Sequence, residues 1–94
     1  MADIVLPLKR EYFEAIKNGT KTEEYRDYDN TFWRKRIEGK SFDRIILTLG
    51  YPKADDTSRR LVRQWRGYEI KTITHPHFGN VPTTVFAIDV EASA

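Results

Sequence analysis

The feature that most constrains the fold is the apolar run at residues 42–49 (FDRIILTL). The run is too short for a convincing helix and is rich in Ile and Leu, so it predicts a buried central strand. A chain of 94 residues has room for one compact core, because small domains bury a limited share of their surface. We therefore expect a single domain, residues 1–94, built around this strand.

Short strands and two helices are predicted around the run. Apolar spacing and turn residues place strands at residues 3–8, 20–26, 59–66, 68–74 and 83–90, and helices at residues 10–18 and from 30 or 31 to 38. Residues 59–66 (RRLVRQWR) fit either a helix stripe or a strand face, and we favour the strand. Strands that mostly follow one another after an early helix favour an α+β fold, here a barrel-like sheet of about five to six strands with two short helices packed around it.

The composition excludes several classes of protein. The chain has no cysteine, which rules out a disulfide framework, a thiolate nucleophile and a cysteine-based zinc or iron–sulfur site. The first residues, MADIVLPLKREYF, contain an acid and a proline, and no apolar stretch of signal or membrane length follows them. We therefore expect a cytoplasmic protein without membrane association or cofactor, with a monomer as the default.

The net charge of +2 conceals an uneven distribution. Residues 32–71 hold eleven basic and five acidic side chains, whereas the segments before and after them are both net acidic. The same stretch carries Trp33, Tyr51, Trp65 and Tyr68. Cations neutralise phosphates and aromatic faces accept bases, so this combination suits a nucleic acid. The alternative is a solvated basic surface whose aromatic residues belong to the core.

The densest polar signal is NGTKTEEYRD, where a helix is predicted to end and a strand to begin. Glu24 and Arg26 are two residues apart, so they would share a strand face and orient each other. Lys21 lies in the turn and can swing its ammonium towards the same point. This set can read a nucleobase edge and a phosphate, or stabilise an oxyanion with Lys21 while Glu24 moves a proton. The alternative is a hydrated edge strand with ordinary ion pairs.

Gly19, Lys21, Glu24 and Arg26 fill all four specified positions of the pattern GxKxxExR, and in this the chain resembles the ASCH (ASC-1 homology) domain family. The flanking segments are similar as well: FWRKRI, an apolar strand ending in Gly-Tyr, and the closing strand TTVFAIDV. The resemblance covers nearly the whole chain and is to small prokaryotic and phage members. It implies a PUA-like fold, a β-barrel with helices around it, whose signature residues line a cleft for RNA or a nucleotide- or nucleoside-like ligand.

Some members of the family that resemble this chain are hydrolases, including N4-acetylcytidine amidohydrolases and a ribonuclease. In the amidohydrolase pattern, a lysine at the position of Lys21 activates a threonine three residues later, together with a glutamate from further along the chain. Here Glu24 stands at the threonine position, and Glu69 and Glu91 are the candidates for the later glutamate. The resemblance thus implies a binding domain or a hydrolase that uses Lys21 and Glu24. A protein-interaction domain with a vestigial cleft is the third alternative.

Each remaining candidate has a structural alternative. Tyr51 is either a stacking surface or a cover for the end of the barrel. His75 and His77 are interpreted as loop residues, because no third metal ligand stands at useful spacing. For Trp33 and Trp65 we favour packing in or against the core over a role as stacking platforms for bases. A basic rim of the cleft, or else solvated faces, would be formed by Arg34, Arg36, Arg63 and Arg66.

Overall fold

A computed structural model describes residues 2–92, which form an α+β arrangement with six strands and two helices. In chain order these are β1 (Asp3–Leu8), α1 (Arg10–Lys17), β2 (Glu23–Asp27), α2 (Thr31–Ile37), β3 (Arg44–Leu49), β4 (Arg60–Gln64), β5 (Tyr68–Thr74) and β6 (Pro82–Asp89). Single 3₁₀ turns at Thr57–Arg59 and Pro76–Phe78 were not predicted. Neither helix within residues 2–92 is long and apolar enough to cross a membrane.

The strands form two three-stranded sheets. The first has the order β1-β3-β4, with β1 parallel and β4 antiparallel to β3, and the second has the antiparallel order β2-β6-β5. The apolar run therefore supplies the central strand of its sheet, and the strand interpretation of residues 59–66 is confirmed by β4. Between residues 2 and 92 no strand pair joins the two sheets. The structure therefore shows the predicted α+β class and the predicted numbers of strands and helices, but it shows no closed barrel.

Local signals in the sequence account for the boundaries of the helices that flank β2. The side chain of Asn30 accepts hydrogen bonds from the backbone N–H groups of Phe32 and Trp33, at 2.9 and 3.3 Å, and so caps α2. Helix α1 is followed by Gly19 in the left-handed region, with φ of +87°, where a side chain would be strained. These two boundaries fix where β2 begins and ends.

One hydrophobic core takes side chains from both sheets and both helices. Its buried members are Ile4, Leu6, Leu8, Phe13, Ile16, Ile37, Ile45, Leu47, Phe86, Ile88 and Val90. Trp33 and Trp65 are half-buried against it, as the packing interpretation predicted. In the register of β2 and β6, Glu24 pairs with Ile88 and Arg26 pairs with Phe86. Glu24 and Arg26 lie on the edge strand β2, and their side chains therefore point to the same face of the sheet as the core residues Ile88 and Phe86.

Candidate functional site

A cleft of about 530 Å³ lies beside β2. Its walls come from β1, α1, β2, α2, the start of the loop after β3 and the turn at Pro76–Phe78. Ligand pockets in proteins typically measure roughly 300–1,000 Å³, so the cleft can hold one small molecule or one unit of a polymer. Both sheets contribute to it, which means that the relative placement of the sheets shapes the site.

The carboxylate of Glu24 is the buried centre of this cleft. Only 4% of Glu24 is exposed. Its Oε2 accepts a hydrogen bond from Arg26 Nη1 at 2.8 Å, and its Oε1 accepts one from the backbone N–H of Tyr25 at 3.2 Å. The ammonium of Lys21 lies 3.6 Å from the same Oε1. Both oxygens of Glu24 are therefore held by the protein, and the two cations share one counter-charge.

Arg26 connects three parts of the fold. Its Nη1 donates to the backbone carbonyl of Tyr25 at 2.8 Å as well as to Glu24, and its Nη2 donates to the carbonyl of Pro7 in β1 at 3.0 Å. The guanidinium also lies over the ring of Trp33 in α2, 4.9 Å from its centre. Because Pro7 and Arg26 belong to different sheets, this side chain fixes the two sheets to each other at the floor of the cleft.

Lys21 differs from Arg26 because its donors are largely unused. Its nearest carboxylate oxygen is at 3.6 Å, beyond hydrogen-bonding distance, and no hydrogen bond from its ammonium is found within residues 2–92. The ammonium lies over the rings of Tyr25 and Tyr12, 4.3 and 5.4 Å from their centres. Only 14% of the side chain is exposed. Burial lowers the pKa of Lys21, and the attraction of Glu24 offsets that effect only in part.

We expect Lys21→Met to raise the free energy of unfolding by about 1 kcal/mol at neutral pH, because it removes a charge that burial disfavours. The wild type should gain stability as the pH rises between the lowered pKa and the ordinary value of 10.5, since the unfolded chain holds more protons there. The variant should lack that gain. Urea unfolding across this range measures both effects. Lys40→Met, at an exposed position, is the control, and a loss of stability confined to Lys21→Met would contradict the prediction.

Two histidines that the sequence assigned to a loop lie in the wall of the cleft. The rings of His75 and His77 are 5.7 and 5.8 Å from that of Tyr12, measured between centres. His75 Nδ1 accepts a hydrogen bond from the backbone N–H of His77 at 3.1 Å. Burial lowers the pKa of His77, and the nearby charge of Lys9 adds to this. No group of three or more potential metal-ligating side chains is found in the described part of the chain.

The other predicted site residues are divided between the cleft and the surface. Tyr51 lines the cleft and is 92% exposed, so its ring stands at the rim. Gly19 lies in the turn before β2 and is not part of the lining. Arg34 forms an ion pair with Glu38 at 3.5 Å, and Arg63 lies on β4, so neither belongs to the cleft wall. Arg36 is also absent from the lining and Arg66 lines a separate depression, so of the predicted rim no arginine lines the cleft.

Glu69 and Glu91 do not face the cleft, which corrects the expectation that one of them accompanies Lys21. They line a separate depression of about 300 Å³, together with Arg66. The strand register gives the reason for Glu69. It pairs with Ala87, whereas Glu24 pairs with the next residue of β6, so the two carboxylates point to opposite faces of the sheet.

The residues of the GxKxxExR pattern come together in the structure. Lys21, Glu24 and Arg26 meet in one cleft, and Gly19 forms the turn that precedes them. No protein-family model, no curated protein and no solved structure matches this chain. The resemblance to the ASCH family accordingly depends on the four signature residues and on the order of the elements around them.

Proposed function

We propose that the protein is an ASCH-type domain with a PUA-like fold, and that its cleft binds RNA or a nucleotide-like ligand. The observation that carries the proposal is the ammonium of Lys21. It lies in a cleft of ligand size, and within residues 2–92 no protein atom accepts a hydrogen bond from it at 3.5 Å or less. The ion pair with Glu24 at 3.6 Å and the two tyrosine rings compensate the desolvation of Lys21 only in part, so a ligand that accepts a hydrogen bond from it would be favoured.

The aromatic rings around Lys21 support a ligand with a flat base. Tyr12, Tyr25, Trp33 and His77 contribute to the walls, and Tyr51 stands exposed at the rim. Stacking of a base on an aromatic side chain contributes about 1–3 kcal/mol by alanine substitution and depends little on the identity of the base. An exposed ring beside a cationic pocket therefore suits a nucleotide better than an aliphatic ligand.

Binding of short RNA and DNA oligonucleotides, followed by amide chemical shifts, tests the proposal. We expect the affinity to fall as salt is added, because counterions released from the phosphates contribute to it. Lys21→Met should weaken binding at least about tenfold, the loss of one hydrogen-bonded charge pair, while Lys40→Met should bind like the wild type. Tyr51→Ala should weaken binding by a similar factor. Undetectable or salt-independent binding of these oligonucleotides would rule out RNA as the ligand and leave a mononucleotide as the remaining form of the proposal.

Hydrolysis is a second candidate, and the contact between Lys21 and Glu24 is the observation that favours it. The lowered pKa of Lys21 makes its neutral form more accessible, so the amine could serve as base; in its charged form it could instead stabilise an oxyanion, with Glu24 as the proton carrier. An acylated cytidine or a phosphodiester would be the substrate. Incubation with N4-acetylcytidine and with labelled RNA decides this, and equal turnover by Lys21→Met and the wild type would assign the activity to a contaminant.

A further inference from the structure

The charges that line the cleft do not balance. Three cations, Lys9, Lys21 and Arg26, face two carboxylates, Glu24 and Asp27, when the histidines are counted as neutral. The inner group of Lys21, Glu24 and Arg26 carries the same excess of one positive charge on side chains that are at most 14% exposed. A largely buried excess of positive charge favours a ligand that brings negative charge to it.

The geometry also shows which cation such a ligand would contact. Arg26 already uses three of its five N–H donors, on Glu24, on the Tyr25 carbonyl and on the Pro7 carbonyl, so its guanidinium is held in place by the protein. Glu24 is negatively charged and each of its oxygens already accepts a hydrogen bond from the protein, so it does not attract an anion. Lys21 keeps its donors unused between two tyrosine rings. A lysine binds phosphate as a point charge and needs no paired geometry, so one accessible ammonium suffices.

We propose that the cleft selects a phosphorylated nucleoside over the uncharged nucleoside, with one phosphate oxygen accepting from Lys21 and the base against the aromatic wall. An uncharged ligand would expel water from Lys21 and leave the positive charge uncompensated, whereas a phosphate replaces that water with a charge-assisted hydrogen bond. The cleft volume of about 530 Å³ suits a single nucleotide. This inference rests on the proposed function and narrows it to the charged form of the ligand.

The test compares adenosine and cytidine with their 5′- and 3′-monophosphates and with inorganic phosphate, in titrations of the isotope-labelled full chain. We expect at least one monophosphate to bind tenfold or more tightly than its nucleoside and than inorganic phosphate. We expect the Lys21→Met variant to bind the monophosphate no more tightly than the nucleoside. Lys40→Met, which makes the same change in net charge at an exposed position outside the cleft, should keep the preference.

The possible failures separate the two proposals. Nucleoside and monophosphate binding with equal affinity at the cleft would overturn the selection of the phosphate and leave nucleotide binding in place. Inorganic phosphate binding as tightly as the monophosphates would overturn the role of the base. A preference that survives in a folded Lys21→Met variant would overturn the assignment to Lys21. No shift with any of these compounds or with short RNA would overturn the proposed function itself.

Discussion

Replacing Glu24 with alanine is expected to lower the free energy of unfolding by about 3–5 kcal/mol, the cost of removing one partner of a buried charge pair. Glu24 is 4% exposed and is the shared counter-charge of Arg26, at 2.8 Å, and Lys21, at 3.6 Å. Without it the two cations would face each other in a half-buried cleft. Urea unfolding followed by tryptophan fluorescence measures the loss, since Trp33 and Trp65 are both half-buried against the core.

Further variants separate the charge of Glu24 from its size. Glu24→Gln keeps an acceptor for Arg26 and should lose less stability than Glu24→Ala. Glu24→Leu combined with Arg26→Met removes the buried pair together and should recover part of the loss, because apolar replacements of such pairs are often tolerated. Glu14→Ala, on the exposed side of α1, should change stability by less than about 0.5 kcal/mol. A loss below about 1 kcal/mol for Glu24→Ala would contradict the role assigned to the pair.

Short-range patterns were sufficient to predict the six strands and the two α-helices of residues 2–92, though not the two 3₁₀ turns. The apolar run at residues 42–49 predicted the central strand, because the hydrophobicity and the length of the run can be seen without knowing which strands pair with it. The start of α2 was predictable to within one residue, at 30 or 31, because a cap acts on N–H groups two and three residues ahead; the structure shows Asn30 as the cap. Alternation along β2 placed Glu24 and Arg26 on one face for the same local reason.

The partners of the site residues depend on contacts that no local pattern reports. Arg26 donates to the carbonyl of Pro7, 19 residues away in the other sheet, and a backbone acceptor leaves no mark in the sequence. His75 and His77 meet Tyr12 only because the turn after β5 packs beside α1. The register of β5 on β6 likewise decides that Glu69 points away from the cleft. The GxKxxExR pattern thus identified three residues that line the cleft. The other residues of its walls could not be predicted, because they come together only when the two sheets pack.

Phe86→Ala is expected to lower the free energy of unfolding by about 3–5 kcal/mol, the range for deleting a buried phenylalanine ring. Phe86 is fully buried at the centre of the second sheet, and its ring centre lies 5.1 Å from the rings of both Tyr28 and Tyr68. The cavity would open beside its strand partner Arg26. Denaturant unfolding measures the loss, and Phe86→Leu, which keeps most of the apolar volume, should cost about 1–2 kcal/mol.

The same pair of variants tests how far the cleft depends on the core behind it. Phe86 is the strand partner of Arg26, whose guanidinium is held by Glu24 and by the Pro7 carbonyl. Because those bonds do not involve Phe86, we expect folded Phe86→Leu to bind nucleotides as the wild type does, although it is less stable. Lys21→Met should show the reverse, with stability raised and nucleotide binding weakened. Loss of binding in folded Phe86→Leu would instead mean that the position of Arg26 is set from the core.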